Sequence, residues 1–183
     1  MGLAGQLDLS GVHWVAPAAE GGTWYPNRFM DPVSVNEPYL SKALARIHEM
    51  VNLASDQWRL KPEELAIVGF SQGACLAAEY AIRNPGRVRN IVVWTGALFG
   101  PAIGHWAKTS RNLEGTRVLI TGSDVDEWVP EQYSYETARV FAELGAEVRL
   151  RMYQGRPHIV SPAEIAEARS FLGCKVARPS VAA

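Results

Sequence analysis

Leu65-Ala66-Ile67-Val68-Gly69-Phe70 is an unbroken apolar run, and Ser71-Gln72-Gly73 follows it directly. An apolar run of this length predicts a β-strand that is buried on both faces. Residues 74–82 are mostly small and apolar, and they predict a helix that ends at Asn84-Pro85-Gly86. A buried strand that passes straight into a helix is typical of proteins built on a parallel sheet.

The serine at this junction is the first candidate catalytic residue. Gly69 and Gly73 allow a sharp turn from strand to helix without side-chain clashes, and such a turn lifts the Ser71 hydroxyl above the sheet. The helix start behind the serine offers free backbone N–H groups, including that of Gln72, to an oxyanion. Gly-x-Ser-x-Gly alone is a weak motif, but its position between a strand and a helix favours a nucleophilic serine.

Strands and helices alternate along the rest of the chain. Strands are predicted at residues 12–17, 88–95, 116–121 and 147–153, and helices at residues 37–58, 131–144 and 161–172. This alternation builds right-handed strand–helix–strand units and a mostly parallel sheet with helices on both faces. In such sheets, functional side chains gather outside the carboxyl ends of the strands.

Length and composition favour a single globular domain. The chain has 183 residues, and we expect one domain over residues 1–175 and a flexible tail over residues 176–183. The formal net charge of −1 gives no indication of nucleic-acid binding. No apolar run is long enough for a membrane helix, and the N-terminus has no secretory signal, so we expect no stable membrane insertion. Cys75 and Cys174 are too few for a disulfide framework, which favours a cytoplasmic location.

Two further polar residues follow predicted strands. A carboxylate at Asp126 could orient an imidazole, although Asp124, Asp126 and Glu127 could also be ordinary turn acids. His158 lies on a Gly/Pro-rich turn and could take the proton of Ser71. Serine, aspartate and histidine in this order, each just past a strand, follow the order of the α/β-hydrolase fold.

Four short motifs carry a resemblance to a known family. They are Gly69-Phe70-Ser71-Gln72-Gly73, Asp126-Glu127-Trp128-Val129-Pro130, Gly155-Arg156-Pro157-His158 and Thr23-Trp24-Tyr25-Pro26. These motifs resemble, in order, the Gly-Phe-Ser-Gln-Gly elbow, the Asp-x-x-Val-Pro turn, the Gly-x-x-His turn and the aromatic loop of the phospholipase/carboxylesterase family. That family comprises small α/β-hydrolases and includes acyl-protein thioesterases. The register of the second motif selects Asp126 over Asp124.

The resemblance implies an enzyme that cleaves carboxylic esters, with thioesters or lysophospholipids as further candidate substrates. The implied mechanism uses a triad of Ser71, Asp126 and His158 and an acyl-enzyme, without a metal or organic cofactor. Dienelactone hydrolases share the fold but use a cysteine nucleophile. Position 71 is serine here, and Cys75 one helical turn later is expected to be a small buried residue.

The aromatic loop of the family borders the substrate groove. By this resemblance, Trp24, Tyr25, Trp106 and Trp128 could form an apolar acyl-binding rim, with core packing an equal alternative for Trp106 and Trp128. The expected partner is a small acyl ester or thioester. An exposed apolar groove or an incomplete sheet edge could also produce a homodimer.

The family has a further strand and a His-Gly-x-Gly-type loop before the strand expected at residues 12–17. Residues 2–9 leave room only for the end of the connecting helix. We therefore expect an N-terminally truncated fold, with either a gap in the sheet or direct pairing between residues 12–17 and residues 65–70. The loop normally supplies a second oxyanion donor, and losing one donor costs about 10²–10³-fold in turnover. The alternative function is therefore a catalytically impaired hydrolase-fold protein that binds acyl ligands or a partner chain.

Overall fold

The computed structural model describes residues 2–101 and 112–173. Within these residues the strands are β1 (Ala66–Phe70), β2 (Asn90–Trp94), β3 (Arg117–Ser123) and β4 (Glu147–Tyr153). The helices are α1 (Leu3–Leu7), α2 (Tyr39–Trp58), α3 (Gln72–Arg83), α4 (Glu131–Glu143) and α5 (Pro162–Gly173). Short 3₁₀ turns occupy Glu20–Gly22, Val33–Asn36 and Pro62–Glu64. The predicted tail lies outside the described residues.

The four strands form one parallel sheet in the order β1-β2-β3-β4. Phe70 at the end of β1 aligns with Trp94 at the end of β2, and Trp94 aligns with Thr121 in β3. The segments that follow these strands therefore leave the sheet at the same edge, which is where ligands bind in open parallel sheets.

Helices cover both faces of the sheet, as predicted. The larger core cluster lies on the face covered by α2, α3 and α4, and the smaller cluster lies between the sheet, α1 and α5. All five residues of β2 are buried, which explains the apolar run over its last four residues. No helix in the described parts of the chain is both long and apolar enough to cross a membrane.

The prediction of a strand at residues 12–17 is wrong. This segment has no regular structure and pairs with none of the described strands. Trp14 and Val15 stay 42% and 43% exposed, while the His13 ring stacks on Trp58 at the end of α2 with 4.6 Å between ring centroids. Apolar, β-branched residues do not form a strand unless a neighbouring strand supplies hydrogen bonds.

The strand predicted at residues 65–70 is present as β1, but its expected burial on both faces is wrong. Ala66 is exposed, and Ile67, Val68 and Phe70 are only half-buried. Among the described strands β1 pairs with β2 alone, so it lies at an edge of the sheet. Direct pairing with residues 12–17 does not occur, and the outer edge of β1 has no described partner.

The long second helix begins two residues later than predicted, because Pro38 occupies its N-cap position. Its buried face contains Leu40, Ala43, Leu44 and Val51. Leu53 of the same helix is 54% exposed.

Candidate active site

Ser71 occupies a sharp turn between β1 and α3. Its backbone angles are φ 56° and ψ −122°, and a positive φ of this kind is rare outside glycine. The Ser71 N–H donates to the carbonyl oxygen of Trp94 at 3.1 Å, and the Ser71 carbonyl accepts from the N–H groups of Ala74 and Cys75 at 2.9 and 3.1 Å. Hydrogen bonds on both sides of the residue hold the strained turn in place.

One of the two flanking glycines is required by close packing. A Cβ atom at Gly69 would lie 2.2 Å from the carbonyl oxygen of Gly73 and 2.6 Å from the backbone nitrogen of Ala74. A Cβ atom at Gly73 would meet nothing within 4 Å. Gly69 therefore permits the close approach of β1 to the start of α3, and Gly73 is not needed for it.

The predicted histidine and aspartate lie beside this serine. His158 Nε2 lies 2.9 Å from Ser71 Oγ, and His158 Nδ1 lies 3.0 Å from both carboxylate oxygens of Asp126. The Asp126 side chain is fully buried, and its Oδ1 accepts the N–H groups of Trp128 and Val129, each at 2.9 Å. A carboxylate bound in this way fixes the imidazole with Nδ1–H toward Asp126 and leaves Nε2 free to accept the serine proton.

Asp124, the competing aspartate, has a different position. Its Oδ1 accepts the N–H of Gly155 at 2.7 Å, and the Ser123 hydroxyl donates to the carbonyl of Arg156 at 2.6 Å. Asp124 therefore ties the histidine-bearing turn to the end of β3, while Asp126 contacts the His158 ring.

Gln72 connects the serine turn to the aromatic loop. Its side-chain Oε1 accepts the N–H of Trp24 at 3.0 Å, and its Nε2 donates to the carbonyl of Tyr25 at 3.0 Å and to Thr23 Oγ1 at 3.1 Å. Gln72 is also the first residue of α3, so its backbone N–H has no acceptor within the helix. This N–H is available to an oxyanion next to Ser71.

A cavity of about 400 Å³ opens beside Ser71. Its lining combines apolar side chains with a few polar ones: Tyr25, Pro26, Asn27, Arg28, Phe29, Asp31, Ser71, Gln72, Cys75, Trp128 and Val129. Trp128 is 58% exposed, whereas Tyr25 is buried and packs edge-on against Phe99. Trp24 is not among the lining residues and packs, partly buried, against the larger core cluster. Trp106 lies outside the described residues.

Cys75 contributes a buried thiol to the same cavity. Burial raises the pKa of this thiol to about 11, so the group is neutral near pH 7. Its Sγ accepts the N–H of Ala97 at 3.4 Å. The structure thus places Cys75 as a small buried residue, as the sequence predicted.

Two buried charged residues beneath the histidine were not predicted. Arg156 and Glu164 form an ion pair, with 3.3 Å between Arg156 Nε and Glu164 Oε2. The spacing Ser161-x-x-Glu164 is that of a capping box, and Glu164 does accept the N–H of Ser161 at 2.8 Å. That spacing could have identified Glu164, whereas nothing in the sequence marked Arg156 as buried.

The fold agrees with the comparison to known proteins. The sequence profile described as Phospholipase/Carboxylesterase matches residues 11–175. The chain belongs to the phospholipase/carboxylesterase family. The predicted family is therefore confirmed.

Individual relatives point the same way. The chain is 29% identical over 163 residues to acyl-protein thioesterase 1 of Saccharomyces cerevisiae, covering 84% of this chain and 70% of that protein. A phospholipase/carboxylesterase from Dyadobacter fermentans superposes with a TM-score of 0.75 at 34% identity, covering 84% of this chain and 72% of the other. SOBER1 of Arabidopsis thaliana superposes with a TM-score of 0.76 at 18% identity over 96% and 90%, which shows the fold alone. The predicted α/β-hydrolase fold is confirmed, and the protein is a hydrolase of the carboxylesterase and thioesterase type.

Proposed function

We propose that this hydrolase cleaves carboxylic esters or thioesters with Ser71 as nucleophile, His158 as general base and Asp126 as the residue that orients the imidazole. One observation carries the proposal: Ser71 Oγ, the two ring nitrogens of His158 and the Asp126 carboxylate form a continuous series of contacts of 2.9–3.0 Å. Such a series joins a weak nucleophile to a base and the base to an orienting group.

The reaction proceeds in two halves. His158 Nε2 takes the hydroxyl proton as Ser71 Oγ attacks the carbonyl carbon, and the same proton goes to the leaving alcohol or thiol when the C–O or C–S bond breaks. A water molecule then attacks the acyl-enzyme with His158 again as base, and Ser71 recovers its proton. Asp126 stabilises the transient imidazolium, and the backbone N–H of Gln72 donates to the oxyanion.

The cavity favours an apolar acyl group of modest size. Tyr25, Phe29 and Val129 supply apolar walls next to Ser71, and the exposed Trp128 ring can cover a longer chain. The yeast relative is named an acyl-protein thioesterase, so thioesters join small esters and lysophospholipids as candidate substrates. The cytoplasmic location, the single domain and the homodimer stay predictions.

A fluorophosphonate probe tests the proposal, because it reacts with an activated serine without the need to know the substrate. We expect the label to map to Ser71, and we expect Ser71→Ala and His158→Gln to lose both label and hydrolysis of p-nitrophenyl butyrate. As a control, His13→Gln changes a histidine that packs against α2, and this variant should keep both the label and the hydrolysis. Undiminished hydrolysis by Ser71→Ala would exclude this nucleophile. A folded wild-type protein without label would favour the alternative of an acyl-binding protein that lacks turnover.

A further inference from the structure

The Arg156 guanidinium connects the turn after β4 to the segment after β2 at the carboxyl edge of the sheet. The side chain is 5% exposed, and its Nη1 donates to the carbonyl oxygens of Pro157 and Ile159 at 2.7 and 2.8 Å. Its Nη2 donates to Thr95 Oγ1 at 2.9 Å, in the segment that follows β2. The two carbonyls belong to the residues on either side of His158, so Arg156 binds the backbone that carries the imidazole.

The same guanidinium lies between two buried carboxylates. Its Nε is 3.3 Å from Glu164 Oε2, without the alignment of a hydrogen bond, and its Nη1 is 3.9 Å from Asp126 Oδ2. Glu164 is itself held by the hydroxyl of Thr121 at 2.6 Å and by the N–H and hydroxyl of Ser161, both at 2.8 Å. Arg156 is therefore fixed from β3 and α5 while it fixes the turn after β4.

The charges of this cluster complement those of the proposed reaction. Two carboxylates and one guanidinium leave one net negative charge next to a neutral imidazole. When His158 becomes an imidazolium, the cluster as a whole becomes neutral. The buried guanidinium compensates the charge of Glu164, which would otherwise be buried without a partner. The negative charge of Asp126 then remains to face the imidazolium.

We propose that Arg156 is a positioning residue that holds the His158 ring between Ser71 and Asp126, through its hydrogen bonds to the carbonyls of Pro157 and Ile159. This inference rests on the proposed function for its kinetic consequences but not for its structural ones. A residue that only stabilised the fold would lower the unfolding temperature without a selective loss of kcat. A positioning residue lowers kcat and leaves KM nearly unchanged, because the substrate cavity does not include it.

The test compares Arg156→Lys and Arg156→Ala with Arg149→Lys and Arg149→Ala. Arg149 is a matched control because it lies in β4, the strand that leads to the Arg156 turn, and also pairs with an α5 glutamate, Glu167, at 3.0 Å, but it is 43% exposed. For each folded variant, kcat and KM are measured with p-nitrophenyl butyrate, with and without a few millimolar guanidinium chloride. One-dimensional proton NMR then follows the downfield signal of the hydrogen-bonded His158 Nδ1–H, assigned by its loss in His158→Gln.

We expect Arg156→Lys to lose about 10²-fold in kcat, since a misplacement of about 1 Å has this effect, while KM stays within about threefold. Guanidinium should raise kcat of Arg156→Ala at least about tenfold and leave both Arg149 variants unchanged. The downfield signal should broaden or disappear in both Arg156 variants and persist in the Arg149 variants.

Wild-type kcat in a folded Arg156→Lys or Arg156→Ala variant would overturn the inference, as would an unchanged downfield signal. If wild-type protein neither reacts with the probe nor hydrolyses the ester, the proposed function fails, and the NMR signal alone decides the role of Arg156. If Arg156→Ala does not fold, the Arg156→Lys kinetics and spectrum decide it.

Discussion

Gly69→Ala introduces a single methyl group at the closest contact of the serine turn. The new Cβ would lie 2.2 Å from the carbonyl oxygen of Gly73 and 2.4 Å from its carbonyl carbon. Since non-bonded atoms pack best at about 3.5 Å, the first turn of α3 would have to move away from β1 by about 1 Å. Overpacking of this kind costs about 1–3 kcal/mol of stability. A displacement of the proposed nucleophile by about 1 Å costs about 10²-fold in turnover.

Gly73→Ala is the matched control, because a Cβ at that position meets nothing within 4 Å and alanine is about 1 kcal/mol better than glycine in a helix. Urea unfolding gives the stability of both variants, and p-nitrophenyl butyrate hydrolysis gives kcat. We expect Gly69→Ala to lose stability and turnover together and Gly73→Ala to unfold at or above the wild-type midpoint. If Gly69→Ala matched the wild type in both measurements, the close approach of β1 and α3 would not determine the position of Ser71.

The remaining predictions concern the orienting carboxylate, the buried thiol and the cavity rim. Asp126→Asn should lower kcat about 10³–10⁴-fold, whereas Asp124→Asn, whose amide oxygen can still accept the Gly155 N–H, should stay within about threefold in steady-state assays. Burial raises the pKa of the Cys75 thiol from 9.0 to about 11, so the folded state keeps this proton longer than the unfolded chain. The free energy of unfolding should therefore fall as pH rises through that interval, and Cys75→Ser should lessen the fall in urea titrations at stepped pH. Trp128→Ala should raise KM about tenfold for p-nitrophenyl octanoate, because the longer acyl chain loses about 1.5 kcal/mol of apolar contact. KM for p-nitrophenyl acetate should change little.

The helices and strands that could be predicted are those whose sequence pattern lies within the element itself. The strand–helix alternation placed β2, β3, β4 and α4 within two residues or so of their observed bounds. The apolar residues of β2 and β3 are buried, those of β4 alternate with exposed charged residues, and α4 buries one face. The prediction that the serine, the aspartate and the histidine each follow a strand also placed the three residues close together. The carboxyl ends of parallel strands lie at the same edge of the sheet, whatever the loops between them. The order of strands and motifs along the chain is therefore enough to predict that these three residues are neighbours.

The errors arise where the outcome depends on a neighbour that local sequence does not specify. Residues 12–17 have the composition of a strand, and β1 has that of a strand buried on both faces, yet each lacks a partner strand on the relevant side among the described residues. Arg156 looks like an exposed loop residue in the sequence. Its burial depends on Glu164 and Thr95, which are distant in the chain and adjacent only in the fold.

The serine turn is held mainly from the inner side of the sheet. Ser71 and Thr95 both have left-handed φ angles, 56° and 55°, and each directly follows a strand. Such a conformation costs about 1–3 kcal/mol in a non-glycine residue and persists only where the surroundings enforce it. The Ser71 N–H is bound by the last residue of β2, and the Thr95 N–H is bound by Thr121 of β3 at 3.0 Å, while Arg156 binds the Thr95 hydroxyl. Each strained residue is thus restrained by the next strand inward, and α3 packs on β1 through the Gly69 contact. This arrangement explains how the serine turn can be formed although the outer edge of β1 has no described partner.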